Sequence, residues 1–82
     1  MKIYNDENYF KTSDLALATT LSLRFPINTI DRFNPRKVLF VFHRLPELEQ
    51  LVEQFWQNKI TVEPQVFANQ IKNLKTRIYS GE

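Results

Sequence analysis

Apolar residues follow two different rhythms along this chain, and the switch between them lays out the elements. The densest run is Val38-Leu39-Phe40-Val41-Phe42, five unbroken apolar residues bracketed by Arg36-Lys37 and His43-Arg44. Short, β-branched and aromatic, it predicts a strand, because a helix of that length buries little surface and nucleates poorly. With no polar residue alternating inside it, the strand is predicted to be buried on both faces, at the middle of a sheet.

Upstream, Tyr9-Phe10-Lys11-Thr12 predicts a short strand that runs directly into a helix. Thr12 or Ser13 is suited to cap that helix through its hydroxyl, and Asp14 places a negative charge in the first turn. The helix is predicted from Leu15 to Leu23, with Leu17, Ala18, Leu21 and Phe25 at helical spacing and Pro26 ending it. Ile27 to Phe33 fits neither period closely and is assigned as a strand. Asn34-Pro35-Arg36 reads as a turn, so that the strands on either side of it form a hairpin.

Downstream, Pro46 stands at the first position of a second helix, with Glu47 and Glu49 in its first turn. Leu48, Leu51, Val52 and Phe55 match the i, i+3, i+4, i+7 template, and Asn58-Lys59 closes the helix. Ile60-Thr61-Val62 is expected as a short edge strand or an extended connector. Pro64 opens a third helix, where Val62 and Phe67 have the offset of a hydrophobic staple and Phe67, Ile71, Leu74 and Ile78 form the apolar stripe.

The order β-α-β-β-α-(β)-α predicts an α+β fold: a small three-stranded, mainly antiparallel sheet with two to three helices, packed mainly on one face. The third helix is expected to cover the far face of the central strand, with apolar surface left over for a homodimer. A chain of 82 residues holds one domain, expected over 1–82 with 1–8 and 80–82 frayed. Without cysteine, neither a disulfide nor thiolate-bound zinc supports it, so the core or a second copy must. No apolar run approaches a signal peptide or a membrane span, which leaves the cytoplasm as the expected compartment and no membrane partner.

The segment Phe10-Lys11-Thr12-Ser13-Asp14-Leu15-Ala16-Leu17-Ala18, followed by the Val38–Phe42 strand and a helix bearing Leu and Phe, resembles a family of short bacterial and phage proteins of unassigned function. That family opens on an aromatic-x-Thr-x-Asp-Leu-x-Leu-Ala motif, and the resemblance extends from about Tyr9 to Tyr79. The motif consists of capping and packing residues. It implies the same order of elements and brings no catalytic residue with it.

Candidate chemistry is reached by elimination. His43, the single histidine, stands at a strand end with no cysteine and no patterned carboxylate near it in sequence, which points to a structural role and away from zinc. Asp14 and Asp31 read as a helix-start charge and a loop carboxylate rather than an acid pair. Ser13 and Ser22 lack a nucleophile-elbow context, and one glycine in the whole chain leaves no phosphate-cradling loop or dinucleotide fingerprint. The expectation is a protein without catalytic activity, metal or small-molecule cofactor.

Two binding readings follow. The net charge is only +2, but Arg24, Arg32, Arg36, Lys37 and Arg44 cluster through the middle of the chain. Interleaved with Phe33, they suggest a basic hairpin patch for DNA or RNA, with cations on phosphates and an aromatic ring on a base. Lys59 and Tyr9 are further candidates for that patch. The alternative is a protein-interaction module, a homodimer or a small adaptor or inhibitor of a larger protein. Its candidate contacts are Phe55 and Trp56, because Trp56 falls one position off the core stripe of its helix.

Overall fold

The computed structural model describes residues 8–80. Its elements run β1 (Tyr9–Thr12), α1 (Leu15–Ser22), β2 (Thr29–Asp31), β3 (Leu39–His43), α2 (Pro46–Trp56) and α3 (Pro64–Ser80). The strands form one antiparallel sheet in the order β1-β3-β2. The α+β fold expected from the apolar rhythm is the fold observed, with β3 at its centre. Of the two ends expected to fray, 1–7 and 81–82 lie outside the described residues. Asn8 is tied down, its carbonyl accepting from the Arg44 N–H at 2.8 Å, and Ser80 belongs to α3.

Register explains which side of the sheet becomes the core. Phe10 lies opposite Phe42, while Thr12 and Ile30 flank Phe40, so these side chains share one face. On that face Phe40 and Phe42 pack with Leu17, Ala18 and Leu21 of α1, Leu48 and Leu51 of α2, and Leu74 of α3. Val41 points to the other face, between Lys11 and Thr29 in register, and is also fully buried. The strand is therefore buried on both sides, as its unbroken apolar run requires. The cover expected from α3 is not where it was placed. Leu74 and Ile78 join the same core as α1 and α2, because the apolar stripe of α3 finds a larger matching surface on α1 than on a face lined by Lys11, Thr29 and His43.

Local chemistry sets the helix ends. The cap of α1 is Asp14, not Thr12 or Ser13: its extended backbone lets its carboxylate accept from the Leu17 N–H at 2.9 Å. Thr12 braces this cap, its Oγ1 accepting from the Asp14 N–H at 3.0 Å. The buried Thr19 and Thr20 hydroxyls donate to the carbonyls of Leu15 and Ala16, which removes the cost of placing them inside. Pro46 starts α2 with Glu47 and Glu49 in its first turn. At its end Asn58 adopts φ 59°, and the N–H groups of Asn58 and Lys59 bond back to Phe55 and Gln54. This is a Schellman closure, with asparagine in the left-handed position usually given to glycine.

Two segments differ from their expected form. The strand expected over Ile27 to Phe33 is confined to Thr29–Asp31, because the Asp31 carboxylate accepts from the Phe33 N–H at 2.9 Å and turns the chain out of the sheet. Residues Ile60 to Val62 form the connector and not a strand. The turn at Asn34 is as expected: its carbonyl accepts from the Lys37 N–H and its side-chain oxygen from the Arg36 N–H.

Truncating Phe42 to Ala is expected to cost about 3–5 kcal/mol, a large part of a small domain's stability, and urea unfolding monitored by circular dichroism measures it. By the same method Asn58→Gly should retain full stability, whereas Asn58→Val should lose about 1–2 kcal/mol through its left-handed backbone.

Candidate functional site

Helix α2 carries two side-chain stripes. Leu48, Leu51 and Phe55 face the core. One residue along, Glu49, Val52, Glu53 and Trp56 repeat the i, i+3, i+4, i+7 spacing on the neighbouring face. Val52 packs on the edge of the core, and Trp56 stands 61% exposed, its ring edge-on to Phe55 with centroids 5.0 Å apart. Such exposure of a tryptophan leaves a large apolar surface facing water, where most of its kind are covered.

Trp56 forms the ridge between two clefts. One, of about 300 Å³, is lined by Thr20, Phe55, Asn58, Ile60, Val62 and Phe67 as well as Trp56. The Schellman closure at Asn58 turns the chain so that the Ile60–Val62 connector forms its wall. Glu63 begins α3 there by accepting from the Val66 N–H at 2.8 Å, and the staple pair Val62 and Phe67 both face this cleft. The other cleft, of about 270 Å³, lies between β1 and α2, lined by Phe10, Arg44, Glu49, Val52, Glu53 and Trp56. Of the residues on these surfaces the sequence singles out Phe55 and Trp56 as protein contacts, and Arg44 as a nucleic-acid contact. Glu53, Val52, Phe10 and Phe67 were missed, although the second stripe of α2 was readable from its spacing.

The residues expected to form one basic patch are dispersed. Arg32 is committed to α3: its Nη1 and Nη2 donate to the carbonyls of Ile78 and Arg77 at 2.9 and 2.6 Å, placing a cation at the negative end of the helix. Arg44 is committed to β1 and α2. Its Nη1 bonds Glu49 Oε2 and its Nη2 the Tyr9 carbonyl, each at 3.0 Å, and its guanidinium lies 5.7 Å from the Phe10 ring centroid. Arg24 is exposed beside α2 in a cleft with Glu47, Gln50 and Gln54. Arg36, Lys37 and Phe33 remain together at the hairpin tip, all exposed. Lys37 and Arg44 stand beyond opposite ends of β3, which alone spans on the order of 15 Å.

One exposed aromatic near that tip was not expected. Because Arg32 joins the hairpin to the end of α3, Phe33 and Tyr79 each follow directly on a residue of that junction, and they are 70% and 82% exposed. His43 sits at the far end of β3, its Nε2 3.0 Å from the Asn28 side-chain nitrogen and its ring 5.2 Å from that of Tyr9. Asp14 caps α1 and Asp31 ends β2, so the two carboxylates have separate structural duties. Among the described residues no group of three or more His, Asp or Glu side chains is placed to hold a metal ion, and no helix is long and apolar enough to cross a membrane.

The fold is thus a small α+β domain of three antiparallel strands and three helices, with its largest exposed aromatic set on a ridge between clefts. The chain belongs to the family described as Domain of unknown function (DUF5659), whose model matches residues 7–80. No curated protein and no solved structure matches it.

Replacing Arg32 with Ala is expected to lower stability by about 1.5–3 kcal/mol, the range for hydrogen bonds that involve a charged group. Amide exchange should localise the loss, with protection falling in the last two turns of α3 and holding in β3.

Proposed function

We propose that this domain is a non-catalytic protein-interaction module, working in the cytoplasm of a bacterial or phage-infected cell, which binds its partner through the Trp56 ridge. The observation that carries this reading is Trp56 itself, 61% exposed between two clefts, one lined mainly by apolar residues and the other by apolar and charged ones. Interface anchors are enriched in tryptophan because one ring buries a large area at small cost in side-chain entropy. The flanking clefts give partner side chains somewhere to insert on either side of it. The ridge is held by structure, since Phe55 beneath Trp56 reaches the core and the Schellman closure fixes the chain just beyond it.

A second reading, nucleic-acid binding, is favoured by a different observation. Phe33, Arg36 and Lys37 are exposed together at the hairpin tip, with Tyr79 beside the Arg32 junction. Cations interleaved with open aromatic faces suit a single strand, where phosphates meet the charges and bases stack. Arg32 and Arg44 contribute less to such a patch than their sequence positions suggest, because their guanidinium groups already bond within the chain.

Selection of a random peptide library on the folded domain tests the first reading. The selected peptides are expected to lose about tenfold or more in affinity on Trp56→Ala, as anchors of this kind do. A set of ligands indifferent to Trp56 would reject it. For the second reading, Arg36→Glu combined with Lys37→Glu should weaken binding of a single-stranded oligonucleotide at low salt by at least about tenfold. Undetectable binding by the unaltered protein, or no change in the double variant, removes nucleic acid from consideration.

A further inference from the structure

The cleft between β1 and α2 contains one unit made of a carboxylate, a cation and an aromatic ring. The Arg44 guanidinium is held by Glu49 at 3.0 Å while lying 5.7 Å from the Phe10 ring centroid. One turn further along α2, Glu53 and Trp56 supply a second carboxylate and a second, better ring for a cation. Glu53 is exposed and has no ion-pair partner among the described residues, and Trp56 is open to solvent. Val52, together with the Phe10 ring, gives the cleft its apolar lining.

We propose that this cleft receives a lysine or arginine side chain of a partner protein, with the cationic head between the Glu53 carboxylate and the Trp56 ring. Its methylene stem lies along Val52 and Phe10, which suits the division of these side chains into an apolar stem and a charged tip. This specifies the partner for the Trp56 ridge and rests on the reading of that ridge as a contact surface. Charge decides the class of ligand. Glu53 on the rim, the carboxylate left over once Glu49 is paired with Arg44, repels phosphates and carboxylates and favours a basic protein segment. Arg44 does not cancel this preference, because its charge is balanced by Glu49 and its second terminal nitrogen is taken up by the Tyr9 carbonyl.

Trp56 is the chain's single tryptophan, so its emission reports on this cleft directly. The experiment titrates the full-length protein with a hexapeptide of alternating lysine and leucine, and separately with one of alternating glutamate and leucine. The lysine peptide is expected to shift Trp56 emission saturably and the glutamate peptide to leave it unchanged. Glu53→Gln, at an exposed position, should stay folded by circular dichroism and bind the lysine peptide about tenfold more weakly. Glu53→Lys should abolish that response. Equal responses to both peptides, no response to the lysine peptide, or one undiminished by Glu53→Gln would overturn the proposal. So would self-association of the free protein that Arg36→Glu with Lys37→Glu abolishes, since the cleft would then serve a second copy. Library ligands that depend on Trp56 but carry no cation would overturn this inference and leave the ridge intact as a contact surface. Ligands indifferent to Trp56 would overturn both.

Discussion

Burial of β3 on both faces is the constraint on which the rest of this structure depends. Phe40, Val41 and Phe42 are each no more than 1% exposed, so a single strand needs partners on both edges and cover above and below. Its edges are satisfied by β1 and β2, and its Phe40 and Phe42 side by three helices. Because the chain must cross from β1 to β2 on the far side of β3, α1 is drawn over the sheet and buries the unbroken run Leu17 to Leu21, threonines included. Helices α2 and α3 then pack around α1, and Gln70 of α3 bonds the Ser22 hydroxyl at the end of α1 at 2.9 Å.

This arrangement redirects charge from the surface to the joints. A domain without cysteine has no disulfide to fasten its peripheral elements, and two arginines serve that purpose here. Arg32 ties the β2 end to the last turn of α3, and Arg44 ties β1 to the first turn of α2. Multidentate geometry suits arginine for such joints, since its planar fork satisfies several acceptors at once. What appears in sequence as one basic cluster is in space two fasteners, one cation beside α2 and a small basic tip.

The same economy sharpens the functional reading. Once the core stripe of α2 is committed inward, the adjacent stripe places Val52 on the edge of the core and Glu49 against Arg44, and leaves Glu53 and Trp56 exposed. An exposed tryptophan costs solubility, and most of the Trp56 surface lies outside the core. Its placement on a rigid helix next to a closed turn is what a binding surface needs, because little order has to be gained on association.

The order of elements, the central place of β3, the boundaries of α2 and the turn at Asn34 were legible because each depends on chemistry local in sequence. Apolar periodicity, proline at a helix start and an asparagine turn act over a few residues whatever the rest of the chain does. Trp56 was legible on the same ground, as a residue one step off a helical stripe. The side of the sheet taken by α3, the splitting of the basic cluster and the pairing of Phe10 with the α2 stripe were not. Each joins residues that are 20 to 60 positions apart or depends on competition among several apolar surfaces for one core, and only the folded chain resolves that competition. The sequence by itself determined which residues seek burial and which segments turn. The tertiary structure alone decided which charges became fasteners and which were left open to solvent.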